Sequence, residues 1–152
     1  MLDALASSTL QLNNPDYSSL EDYELEIVAQ YIMNNKGTGY ESRDQIQEMF
    51  DEIIQLILED WSKITEDARN LRIGYSGSDR GSHVTLDITL PTCGPINGST
   101  ITWESKNPLI ISNSGQVTRP SDDTMVSLTA FLSNRYEHRV ALFNVIVKGN
   151  NQ

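Results

Sequence analysis

Apolar residues at Leu20, Tyr23, Ile27, Val28, Tyr31 and Ile32 recur three and four positions apart, a spacing that lines one face of an α-helix. The pattern predicts a helix over about residues 19–34. Ser18 followed by Glu21 has the form of a capping box, the hydroxyl taking an amide hydrogen while the carboxylate reaches back to another. The stretch Asn34 to Gly39 supplies Asn and Gly for a left-handed C-cap. A second start follows at Ser42 with Gln45. From there Ile46, Met49, Phe50, Ile53, Ile54, Ile57, Leu58 and Trp61 form an unbroken stripe, predicting a helix over about residues 43–62. Two helices joined by roughly ten residues most simply form an antiparallel hairpin.

From residue 70 the period changes to two. Val84, Leu86, Ile88 and Leu90 alternate with Thr85, Asp87 and Thr89, which implies one buried and one wet face. Ile101 and Trp103 alternate with Thr100 and Thr102, and Val126, Leu128 and Ala130 with Ser127 and Thr129. Phe143, Val145 and Val147 alternate with Asn144 and Ile146 in a less clean register. Leu109–Ile111 and Gln116–Thr118 flank Ser112-Asn113-Ser114-Gly115, which reads as a hairpin turn. Short strands punctuated by Pro and Gly fit an immunoglobulin-type sandwich. The fold class expected is therefore α+β, an N-terminal helical hairpin followed by a C-terminal immunoglobulin-like antiparallel β-sandwich. Its expected division is an acidic helical segment 1–64, a sandwich 65–149 and a tail 150–152.

Charge sharpens that division. The chain of 152 residues carries a net charge of −10. Residues 1–69 hold 15 acidic and 4 basic side chains, and residues 70–152 hold 6 and 7, so the halves stand at −11 and +1. An acidic half repels phosphate backbones, which argues against nucleic acid as a partner. No apolar run approaches the roughly 18–20 residues that span a bilayer. The N-terminal residues lack a basic n-region and a continuous apolar h-region, so they do not read as a signal peptide. Work outside the cell would place the targeting and anchoring segments elsewhere. Cys93 is the only cysteine, which excludes an internal disulfide and a multi-cysteine metal site.

Chemistry-bearing residues are few. Asp44, Glu48, Asp51, Glu52 and Glu59 invite an acid–base reading, but on an amphipathic helix they form a solvated polar face. His83 and His138 are the only histidines, and no G-x-S-x-G elbow accompanies them. Asp79, Asp87, Asp122 and Asp123 could supply oxygen ligands to Ca²⁺, yet they lack a regular D-x-D-x-D-G spacing. No catalytic residue, metal site or cofactor is expected. Trp103 shares the face of Ile101, so it is expected in the core with Glu104 pointing to solvent.

The second half resembles the atrophied bacterial Ig-like domain. The resemblance is carried by LRIGYSGSD at 71–79, VTLDITLP at 84–91, GSTITWESKNPLIISNSGQVTRP at 98–120, VSLTA at 126–130 and FNVIVKG at 143–149. Residues 17–54 are similar to helical segments found between such modules. Two places depart from the pattern: Cys93, where Gly or Ser is usual, and the bulky charged loop SNRYEHRV at 133–140.

The resemblance implies a non-enzymatic spacer of a bacterial surface-layer, other cell-surface or secreted multidomain protein, whose partners are neighbouring modules of the parent chain. The alternative is an accessory module binding glycan or cell-wall polymer, with Tyr75, Arg135 and Tyr136 as its candidate residues. Exposed aromatic rings stack on sugars, which is why those positions are singled out.

Overall fold

The computed structural model describes residues 14–35 and 43–151. A 3₁₀ turn at Tyr17–Ser19 is followed by α1 (Asp22–Asn35) and α2 (Arg43–Asn70). Three strands come next, β1 (Thr100–Ser105), β2 (Thr124–Ser133) and β3 (His138–Val147). The molecule is thus α+β, two helices and then an antiparallel sheet in the order β1-β2-β3. It divides into two compact units, Met1–Trp61 and Ser62–Gln152, with the division falling inside α2.

Capping of α1 occurs one turn later than the Ser18–Glu21 spacing suggests. Ser18 sits in the 3₁₀ turn, while the Glu21 carbonyl accepts the first helical bond from the Leu25 amide at 3.0 Å. The Glu24 carboxylate reaches back to the Glu21 N–H, so Glu21 is the N-cap and Glu24 supplies the returning arm of the box. Asp22 and Glu24 also place negative charge at the positive end of the helix dipole. The expected C-cap around Gly37 and the Ser42 start lie outside the described residues. Buried apolar residues of the first unit are Val28, Ala29, Ile32, Phe50, Ile53, Ile54 and Ile57.

The stripe on α2 does not stop near residue 62. Ile64, Ala68 and Leu71 continue the three-and-four spacing, and neither Gly nor Pro interrupts residues 62–70. The end comes at Asn70, where side chains take over the orphaned carbonyls. The Asn70 amide donates to the Glu66 carbonyl (2.9 Å), and Arg72 donates to those of Arg69 (2.9 Å) and Leu71 (2.8 Å).

In the second unit, β2 is the central strand. It pairs with β1 in the register Trp103↔Ala130 and with β3 in the register Ala130↔Ala141. One face of the sheet carries Ile101, Trp103, Val126, Leu128, Ala130, Leu132, Val145 and Val147 into a core shared with Ile64, Leu71, Ile73, Val84, Ile88, Leu90 and Ile111. Residues 71–118 outside β1 join through single bridges, Gly74↔Thr89, Arg80↔His83, Val84↔Val147, Cys93↔Thr100 and Ile111↔Val117.

The strand expected at 84–90 is reduced to two of these bridges, and Leu86 lies 51% exposed in a bend rather than on the buried face. Carboxylates explain the difference. Asp79 takes the amides of Thr85 (2.6 Å) and Leu86 (2.7 Å), so those donors serve a side chain rather than a ladder. Asp87 likewise takes the Val117 amide at 2.7 Å. The Ser112–Gly115 turn forms as expected, closed by the Ser112 amide on the Gln116 carbonyl (2.9 Å) with Gly115 at φ +93°.

Candidate functional site

Trp103 is buried, in phase with Ile101, and packs against Phe143 with ring centroids 5.4 Å apart. Its indole N–H donates to the Pro91 carbonyl at 2.7 Å, which satisfies the one polar atom that burial would otherwise strand. Glu104 points the other way, exposed, and pairs with Lys106 at 3.1 Å. Trp103 and Glu104 therefore share no pocket.

The three candidate binding residues divide into two places. Arg135 and Tyr136 lie in the β2–β3 hairpin, where the guanidinium carbon sits 4.7 Å over the ring centroid. Tyr75 is half-buried against the core, and burial pushes its phenol pKa upward. A methyl group added at Gly81 would come within 3.1 Å of the Tyr75 hydroxyl, and the Gly81 carbonyl accepts the Ile146 amide. Tyr75 thus sits at the Ile146 end of β3 and Tyr136 beyond its His138 end. At about 3.3 Å per residue, the separation is on the order of 25 Å. The structure joins Arg135 to Tyr136 and leaves Tyr75 apart.

Of the carboxylates considered as cation ligands, those of Asp79, Asp87 and Asp123 are committed to donors at different points of the fold. Asp79 accepts from the Thr85 and Leu86 amides and from the Thr85 hydroxyl (2.9 Å). Burial raises its pKa, but those three bonds and the nearby His83 carry it below the usual value. Asp123 accepts the Gly149 amide at 2.9 Å and pairs with Lys148, while the Asp122 backbone carbonyl accepts the Thr124 hydroxyl. Among the described residues, no three carboxylate, His or Cys side chains converge on a position that could hold a metal ion.

The most organised polar cluster was not singled out by sequence spacing. Asp67, in the last turn of α2, is fully buried. Its Oδ1 accepts the amides of Ile96 (3.0 Å) and Asn97 (2.7 Å), and its Oδ2 accepts the amide (2.9 Å) and hydroxyl (2.6 Å) of Ser99. Burial alone would raise the carboxyl pKa. The Ser99 hydroxyl and the Asn97, Ser99 and Ile96 amides outweigh it and hold the group below its ordinary value. Gly94 leaves the room this requires, since a Cβ there would lie 2.1 Å from Oδ2. Asn97 adds side-chain bonds to the Lys63 carbonyl (3.1 Å) and to Glu66 (3.0 Å). The arrangement is a latch between a helix end and the turn at 94–99. Every acceptor position used is aimed at this chain's own donors, so its chemistry is structural.

A cavity of about 330 Å³ lies in the first unit, lined by Ser19, Leu20, Glu21, Tyr23, Glu24, Leu58 and Trp61. Trp61 is half-exposed and Tyr23 partly so, although both belong to the stripes expected to be buried.

A small antiparallel sheet with a core closed over one face by singly bridged segments is consistent with an Ig-like module. The family model described as the atrophied bacterial Ig domain matches residues 64–150, over half of the chain, and the chain belongs to that family. No curated protein matches it. Domains of this family are generally non-catalytic and form parts of larger proteins, often extracellular ones. Among the described residues, no helix is long and apolar enough to cross a membrane.

Proposed function

We propose that this chain is a non-catalytic spacer of a bacterial cell-surface or secreted multidomain protein, where it positions neighbouring domains. In this reading the bridged segments of residues 71–118 are the reduced second layer of an immunoglobulin-like sandwich, and α1 with α2 forms a helical hairpin. The observation that carries it is the Asp67 latch: the end of α2 is fastened into the β unit by a buried carboxylate with four donors. A flexible linker has no use for such a fastening, whereas a spacer depends on it. Limited proteolysis tests the reading. Residues 62–75 should resist cleavage until the β unit unfolds, because Ile64, Asp67 and Leu71 are buried. Ready cutting there would remove the rigid-spacer role.

Binding of glycan or cell-wall polymer is the competing role, and the Arg135–Tyr136 stack is the feature that supports it. One ring face is already covered by the guanidinium, and Tyr75 is too distant to extend the platform. Retention of the chain on cell-wall sacculi or insoluble polysaccharide, abolished by Tyr136→Ala, would establish that role. No retention on any matrix is the result the spacer reading requires.

A further inference from the structure

The two outer edges of the sheet are treated differently. On β1 the outward-facing amides are met at both ends, Ile101 donating to the Thr92 carbonyl (3.0 Å) and Ser105 to the Asn113 side chain (2.9 Å). On β3 the direction of the edge is set by two bonds, from the Ile146 amide to the Gly81 carbonyl (2.7 Å) and from the Val84 amide to the Ile146 carbonyl (2.9 Å). Ile146 therefore faces away from β2. In an antiparallel ladder this alternates, so the amides and carbonyls of Val140, Leu142 and Asn144 also face outward. All three residues are exposed, and among the described residues no backbone group from another segment meets them.

Nothing blunts this stretch. β3 reads HRVALFNVIV, without the Pro or Lys that commonly protects an edge. The outer face of the sheet beside it is apolar, with Phe131 at 42%, Val140 at 52% and Leu142 at 75% exposure, and Phe131 directly opposite Val140 in the register. The exposed basic side chains Arg135, His138 and Arg139 stand at the hairpin end. The segment 81–84 closes the other end at Ile146.

We infer that the β3 edge is a docking site for an extended peptide strand from another polypeptide, added to the sheet antiparallel alongside residues 140–144. Backbone donors and acceptors at a two-residue period are satisfied only by a partner with the same period, which selects an extended chain. Its outer-face side chains are apolar, matching Phe131, Val140 and Leu142, and an acidic residue falls at its C-terminal end beside the basic hairpin. A second copy of this chain is a poorer occupant. In a two-fold antiparallel pairing along 140–144, the copy's own hairpin would run into the place held by residues 81–84.

The test is an amide-resolved NMR titration of the full chain with a synthetic, end-blocked peptide of alternating Val and Thr ending in Glu. Binding on the order of 0.1–1 mM is expected, given the few hydrogen bonds and small area. Shifts and slowed exchange should centre on Val140, Leu142 and Asn144. N-methylation of the peptide amides that face β3 should abolish the effect, and N-methylation of the alternate amides should leave it intact. Leu142→Pro should also abolish it while the β2–β3 ladder amides keep their shifts, because an outward N–H is the one position where an edge strand tolerates Pro.

Absence of shifts at these residues at about 2 mM peptide would overturn the inference. Equal binding by both methylated peptides would overturn it too, as adsorption to an apolar face. Shifts that follow protein concentration without peptide would assign the edge to a second copy instead. None of these results bears on resistance to proteolysis at residues 62–75, so the spacer role stands or falls separately.

Discussion

Removing the Asp67 carboxylate should cost more than any other single polar change in the second unit. The structure sets the magnitude. Ile96 and Asn97 are exposed, so their amides regain water when the carboxylate is lost, and that part of the penalty is small. Ser99 is buried at 4% exposure, and both its amide and its hydroxyl would be left without an acceptor. At about 1–3 kcal/mol for each stranded donor, Asp67→Ala should destabilise by about 3–4 kcal/mol. For a unit of this size that corresponds to a fall in Tm of roughly 12–30 °C. The assay is urea unfolding at pH 7 in a Trp61→Phe background, so that fluorescence reports Trp103 in the core.

Two features separate this mechanism from a generic core defect. Gly94→Ala drives a methyl group into Oδ2, so it should be costly in the native chain and much cheaper in Asp67→Ala, an interaction energy above about 1 kcal/mol in the double-mutant cycle. The folded carboxyl has a depressed pKa, so its stabilisation is present above the unfolded value of about 3.9 and is lost as pH falls through the folded one. The stability gap between wild type and Asp67→Asn should therefore narrow below about pH 4. An Asp67→Ala cost under about 1 kcal/mol, or a gap to Asp67→Asn that persists unchanged into acid, would refute the latch.

Trp103→Phe keeps a ring in the core but strands the Pro91 carbonyl, and chemical denaturation should show a loss of about 1–3 kcal/mol. Gly115→Ala should be severe, at least about 2–3 kcal/mol by the same measurement, since φ is +93° and the new Cβ would lie 2.2 Å from the Ile88 carbonyl oxygen. Asp79→Asn should cost only about 1 kcal/mol because the site is partly exposed. Its clearer signature is faster proteolytic nicking and amide exchange at residues 79–86, where the Thr85 and Leu86 donors lose their acceptor.

The parts of this fold that were legible in the sequence are those where the chain hydrogen-bonds to itself in a regular period. The alternation Ile101–Trp103, the run Val126–Leu128–Ala130 and the α2 stripe each report a repeating backbone, and each is present. Periodicity failed where a side chain replaced a backbone partner. Val84 to Leu90 alternates as well as any strand in the chain, yet Asp79 and Asp87 take the amides that a ladder would use, and Leu86 turns outward. The same cause hid the Asp67 latch: its donors lie 29 to 32 residues away, and nothing local in Glu66-Asp67-Ala68 distinguishes it from the acidic positions on the solvated face of α2. A signal did exist in retrospect, because Asp67 falls three positions after Ile64 and four before Leu71, on the buried stripe itself. An acidic residue in phase with a core stripe must either be a functional group or be fully hydrogen-bonded. With four donors within 3.0 Å, Asp67 is the second kind.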